Sequence, residues 1–362
     1  MELLHTGRLA IATFTATTIF AFAGCGGARS TGAMPQTAAG SAQTAANPGS
    51  KSGGDLLYVD DGGTDYSGAY ALAYTYPQGK HVATLTGFRR LTGECSDANG
   101  DVFIVAPGEE LSNPTTVYEF AHGGTSPIAE LSDPGEGNGC AIDATTGNLA
   151  VANTSDESNP YGAGYGDVAI YADAQGAPAM YYSSTLHGFY YCGYDDQANL
   201  YLSVAIDGGY ELASLSAGSS SIERINLKTP LYGGYAFAPS VQWDGAHMTV
   251  SSTLKQDDQE EDSDPVNVYR LSISGSSATV IGTTKLNAPQ NRHRGESWIQ
   301  GNTIIGISYY HGRPRITFWP YPKGGKPSRE ITHSQRPAAS LFDGVTVSAA
   351  PSGTHVHGWL LP

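Results

Sequence analysis

Four aspartates recur along this chain at a spacing that invites chemistry. Asp97, Asp143, Asp195 and Asp244 are separated by 46, 52 and 49 residues, and each stands just ahead of a turn signal. Three cysteines accompany them. Cys95 lies two residues before its aspartate, whereas Cys140 and Cys192 lie three before theirs. Carboxylates gathered from successive repeats would make a ligand set for a hard cation. Thiols gathered the same way could close a disulfide. Each set also has a simpler reading. An Asp at the head of a turn accepts hydrogen bonds from backbone N–H groups just ahead of it, and small buried cysteines can fill a tight wall. By the two-residue period of a strand, Cys140 and Cys192 share a face and Cys95 takes the opposite one. The candidate disulfide is therefore Cys140–Cys192, with three unpaired buried thiols as the alternative.

A second set of candidates lies between the repeats. Asp60, Asp61, Asp65, Glu109, Glu110, Asp156, Glu157, Asp207 and the run from Asp257 and Asp258 to Asp264 hold 14 of the 34 acidic residues. On one face they would attract a cation, Ca²⁺ or a basic ligand. The run from Asp257 lacks the ligand spacing of an EF-hand, so no metal ligand is assigned and no cofactor is required; Ca²⁺ or another divalent cation is the ion such a face would serve. The segment Asn291–Glu296 supplies Arg292 and His293 as a counterweight that could receive a carboxylate. Trp243, Trp298 and Trp319 are either sugar platforms or packing. The chain contains no H-E-x-x-H, no G-x-S-x-G and no phosphate loop.

The elements that must position these residues follow from the repeat. GECSDANGDVFIV from Gly93, GCAIDATTGNLAV from Gly139, YCGYDDQANLYLSV from Tyr191 and VQWDGAHMTV from Val241 each read as apolar strand, Asp, tight turn and β-rich strand. Six hairpins accompany these units along the chain, with turns at Gly79, Gly123, Gly176, Gly218, Gly275 and Gly324. A strand-built period of about 50 residues is the signature of a radial repeat. Six hairpins predict an all-β, six-bladed propeller; seven blades is the alternative, with Thr354 to Leu361 as a further strand. The segment from Asp55 to Asp61 reads as a second strand with no first strand before it. Gly344 to Ala349 resembles Gly139 to Ala144 and can fill that place, so the C-terminal strand is expected to close the first blade.

The strand–Asp–turn–strand pattern with its glycine hairpin resembles NHL-repeat and TolB-like six-bladed propellers over about residues 55–353. Cys before Asp in three successive repeats resembles bacterial propeller lipoproteins. The resemblance implies an architecture and leaves function open, because propellers host enzymes and binding proteins alike.

Composition narrows the choice. A net charge of −15 disfavours nucleic acid, whose phosphates need a basic face. Leu9 to Ala23 is an apolar, Thr-rich run of 15 residues, shorter than the roughly 20 that span a membrane. It ends in Phe22-Ala23-Gly24-Cys25, which resembles the bacterial lipobox and implies a lipid on Cys25. Residues 1–24 are then a lipoprotein signal peptide, 25–54 a Gly-, Ala- and Ser-rich tether, and 55–362 a single propeller domain. The expected protein is a lipid-anchored envelope propeller that acts as a binding or scaffold module toward an envelope protein or glycan. The alternative is a metal-dependent, lactonase- or lyase-like hydrolytic enzyme with its site at the axial opening.

Overall fold

The computed structural model describes residues 53–351 apart from 63–67, 109–113, 163, 207–208, 233–237, 254–265, 288–290, 311–312 and 333–343. The regular structure of the described residues is almost entirely strand, with one short 3₁₀ turn at Ala172–Ala174. The strands come in sets of four. The first sheet holds β1 (Leu56–Asp61), β2 (Ala69–Thr75) and β3 (His81–Phe88). The second holds β4 (Gly93–Ser96), β5 (Val102–Ala106), β6 (Thr115–Phe120) and β7 (Ala129–Asp133). The third holds β8 (Gly137–Ile142), β9 (Leu149–Asn153), β10 (Asp167–Tyr171) and β11 (Ala179–Tyr182).

Two further sets follow: β12 (Phe189–Tyr194), β13 (Leu200–Ile206), β14 (Gly209–Leu215) and β15 (Ile222–Leu227), then β16 (Val241–Trp243), β17 (Met248–Thr253), β18 (Val266–Ser274) and β19 (Ser277–Leu286). They join into one eight-stranded sheet, ordered β12-β13-β14-β15-β19-β18-β17-β16. The junction is slender, a parallel contact of Asn226 with Ser277 and Leu227 with Ala278. The last four-stranded sheet is β20 (Asn291–Gln300), β21 (Thr303–Tyr310), β22 (Arg313–Pro320) and β23 (Arg329–Thr332).

The chain end returns to its beginning, as the sequence predicts. β24 (Val345–Ser348) pairs antiparallel with β1, Leu56 facing Ser348 and Val59 facing Val345, so the first sheet runs β24-β1-β2-β3. The Gly344 N–H donates to Asp60 Oδ1 at 2.5 Å and the Asp60 N–H to the Gly344 carbonyl at 3.3 Å, which pins the junction.

Burial explains why these sequences make these strands. β9 and β10 are buried at every position, whereas the outer strand β3, HVATLTGF, is mostly exposed and buries only Leu85 and Phe88. Middle strands are packed on both faces and need continuous apolar runs; outer strands need one apolar face. The apolar cores lie between neighbouring sheets. Leu57, Val59, Val345 and Val347 pack on Ile305, Ile316 and Phe318, which brings the last sheet onto the first and gives a propeller-like ring. Glycine lets the innermost strands approach. A Cβ on Gly139 would sit 2.6 Å from Tyr191, and one on Gly193 would sit 2.7 Å from the Val241 carbonyl. The hairpin glycines Gly79, Gly123, Gly176, Gly218, Gly275 and Gly324 all have φ between +55° and +75°, as their turns require.

The recurring aspartates hold turns. Asp97 Oδ1 accepts from the Asn99 and Asp101 N–H groups at 2.9 and 2.8 Å, and Asp195 Oδ1 from Gln197 and Asn199 at 2.9 Å. Asp143 caps Thr145, and Asp244 caps Ala246 and His247. Each carboxylate caps the turn that follows it.

The predicted Cys140–Cys192 bridge is replaced by Cys95–Cys140, with a Cα–Cα distance of 5.7 Å, and Cys192 is a buried thiol. The physical reason is stacking. Cys140 packs in the core between the second and third sheets, and Cys192 in the core between the third sheet and the β12–β15 set. Their shared offset makes each face the sheet before it, so they cannot meet. Cys95, on the opposite face, looks forward to the third sheet and meets Cys140.

Candidate functional site

The expected acidic face is only partly a surface. Asp60 and Asp61, at the end of β1, are fully buried, and Asp156 is 1% exposed. Asp156 caps its own loop, accepting from the Ser158 N–H at 2.7 Å, while Glu157 is exposed. Burial removes Asp60, Asp61 and Asp156 from any solvent-facing cation site. Arg292 and His293 belong to strand β20, paired with Tyr309 and Ser308, and not to a loop. Their side chains, with Cys25, Glu109, Glu110, Asp257 and Asp258, lie outside the described residues.

The structure gathers carboxyl groups that sequence reading passed over. Glu94 on β4 and Glu296 on β20 flank β24, and both are buried. Neither Glu94 oxygen has a hydrogen-bond partner of ordinary geometry among the described residues. Burial, then the nearby Asp60 and Glu296 carboxyls, push Glu94 well above the ordinary carboxylate range, and the Thr346 amide offsets this only in part. Glu296 is raised by burial and then by the Asp60 carboxyl, and relieved in part by the Glu94 N–H. These groups favour the protonated, neutral form.

A second group lies at the ends of β7, β9 and β10. Asn153 Nδ2 donates to Asp133 Oδ1 at 2.9 Å and to Asp167 Oδ1 at 2.6 Å, and the Gly135 N–H also caps Asp133 at 2.9 Å. Burial drives Asp133 up to about 7 and Asp167 well above its usual value, the latter helped by the adjoining Asp156 carboxyl. No group of three His, Cys, Asp or Glu among the described residues is arranged to hold a metal ion. Glu94 sits in a short inner strand and Asp167 opens an apolar one. Their only signal in the sequence is a charged residue at an inward position.

The open site is a cleft of about 430 Å³ between the two halves of the eight-stranded sheet. One wall is the Asp195–Asn199 turn with Tyr201 and Ser214. The other is Trp243, His247, Ser272 and the Gly275 hairpin. The walls are held by committed hydrogen bonds. Asp195 Oδ2 accepts from Asn199 Nδ2 at 2.9 Å and from the Tyr201 hydroxyl at 3.3 Å, and Asn199 Oδ1 accepts from the Ala217 N–H at 3.0 Å. Tyr321 donates its hydroxyl to Asp244, which together with the backbone N–H groups keeps that carboxyl below its usual pKa against the cost of burial. Of the three tryptophans, Trp319 is fully buried, and Trp298 packs in a core with its N–H donating to Gln300 at 3.1 Å. Trp243 alone of the three lines this cleft, half-buried against the core beneath.

An all-β ring of packed four-strand sets is a propeller-type arrangement, and solved structures share it. TolB from Acinetobacter baumannii superposes with a TM-score of 0.52 at 10% identity, covering 82% of this chain and 66% of its own. A protein of unknown function from Bacteroides caccae superposes with a TM-score of 0.52 at 8% identity, covering 82% of this chain and 99% of its own. The chain thus spans just under two thirds of the length of TolB. At these identities the likeness shows the fold alone. No protein-family model matches the sequence, and no curated protein matches it. Among the described residues no helix is long and apolar enough to cross a membrane.

Proposed function

We propose that this chain is an exported, lipid-anchored binding module of the bacterial envelope. It is anchored through Cys25 and displayed on the 25–54 tether, with an NHL- or TolB-like propeller of six blades as its working part. On this reading each half of the eight-stranded sheet is one blade, and the two-residue β15–β19 contact is a touch between outer edges. The buried Cys95–Cys140 bridge supports export, because disulfides persist in oxidising compartments. A single acyl chain holds a protein weakly and several hold it stably, so full lipidation of Cys25 would keep the propeller at the membrane.

The observation that carries the binding reading is the cleft beside Trp243. It is concave, its walls are held by internal hydrogen bonds, and its volume falls in the range of small-ligand sites. In cells fed labelled palmitate, the wild-type chain takes up label and Cys25→Ala does not; equal labelling overturns the anchor. A photo-crosslinking residue placed at Gln197, in the cleft wall, captures an envelope component. The same residue at Ile281, on an exposed outer strand, captures far less. Equal capture at the two positions overturns the assignment of binding to the cleft.

A further inference from the structure

We propose that the cleft between the β12–β15 and β16–β19 sets is a saccharide site that takes a neutral pyranose-containing glycan. This rests on the binding reading above and gives it a ligand class. A pyranose ring has an apolar C–H face and a rim of hydroxyls that both donate and accept. The cleft presents the matching pair of surfaces. Trp243 is half-buried against the core of Tyr201, Val241 and Met248, and its remaining surface borders the cleft. Its indole N–H makes no hydrogen bond among the described residues. Aromatic side chains with one apolar body and one unused polar tip suit partly wet sites.

Around it stand polar groups of two kinds. Asp195, Asn199 and Asp244 are spent on turns and hold the walls rigid. Gln197, Ser214 and Ser272 line the same cleft and make no side-chain hydrogen bond among the described residues. An amide and two hydroxyls offer both donors and acceptors, which is what a hydroxyl-rich ligand demands. Rigid walls lower the ordering cost of binding. Charge sets the subclass. Asp195 and Asp196 line the cleft, Asp196 exposed, and repel an acidic sugar.

The test is an array of immobilised neutral, amino and acidic oligosaccharides probed with the purified full chain, followed by titration of the best neutral glycan. Neutral pyranosides are expected to bind and acidic ones to bind at least ten-fold more weakly. Trp243→Ala and Gln197→Ala should each weaken binding at least ten-fold. Trp243→Phe, which keeps a stacking face, should retain most of it. Trp243 also packs in the core, so Gln197→Ala, at an exposed turn position, keeps the test decisive if Trp243→Ala unfolds. Absence of binding to every neutral glycan, or binding unchanged in Gln197→Ala and Trp243→Ala, overturns the proposal. If no glycan binds while the Gln197 crosslink still captures an envelope protein, the saccharide class fails and the binding reading stands. If neither occurs, both fail.

Discussion

The Cys95–Cys140 bridge ties the innermost strands of the second and third sheets, and its removal can be worked from the structure. The cysteines enclose 45 residues of sequence separation. In the chain-entropy account, a cross-link over that span removes about 13 cal/mol/K from the unfolded ensemble, or about 4 kcal/mol at 25 °C. Cys95→Ala/Cys140→Ala loses this together with a packing term for two buried side chains. Cys192→Ala supplies that packing term by itself, since Cys192 is also buried in an inner strand and has no bridge. Denaturant unfolding under non-reducing conditions, in a Cys25→Ser background, then yields three free energies. The double variant should fall below the parent by about 4 kcal/mol beyond twice the Cys192→Ala loss. Thiol titration of the unfolded parent without reductant should find Cys192 alone, and peptide mapping should recover the fragments holding Cys95 and Cys140 as one linked species. A linked pair of Cys140 and Cys192, or a double variant no worse than twice Cys192→Ala, would refute the stacking argument that each inner strand faces both of its neighbours.

Two further outcomes are expected. Val347 on β24 is buried in the core that joins the first and last sheets, so Val347→Asp should destabilise the fold by about 3 kcal/mol or more, whereas Ile281→Asp on an exposed outer strand should stay within about 0.5 kcal/mol; equal effects on the melting midpoint would show that β24 does not close the ring. Asp133 is held at about 7 in the fold against 3.8 when free. Between those values the folded state keeps a proton that the unfolded state has lost, so stability falls as pH rises from about 4 to 7, by about 4 kcal/mol for this group. Asp133→Asn keeps the oxygen that accepts from Gly135 and Asn153, and should flatten that slope in denaturant curves taken between pH 4 and 7.5. A slope identical to the parent's would show that Asp133 is ionised in the fold.

Much of the architecture was legible because it is local. An Asp at the head of a turn, a glycine at positive φ and a run of β-branched residues each act within a few residues, so Asp97, Asp195 and Gly275 could be placed by reading alone. Closure by β24 was legible too, because Gly344 to Ala349 repeats a pattern already seen. The two-residue period also told which cysteines share a face. It did not tell that same-face residues on stacked sheets point the same way around a ring and never meet. That decision belongs to the packing of one sheet on the next, which sets Cys95 against Cys140 and leaves Cys192 as a thiol.

The same holds for the candidate sites. Asp60, Asp61 and Asp156 read as part of an acidic surface face, because composition reports charge and not burial; the fold put them inside. Glu94 and Glu296 stand 202 residues apart in number and become neighbours only when the last sheet packs on the first. The cleft beside Trp243 lies between two sets of strands that the chain builds one after the other. Sequence determined the strands, turns and closure through short-range sterics and hydrogen bonding. Tertiary structure decided which side chains were desolvated, which were paired and which were left facing an opening, since those outcomes depend on contacts between residues that nothing local brings together.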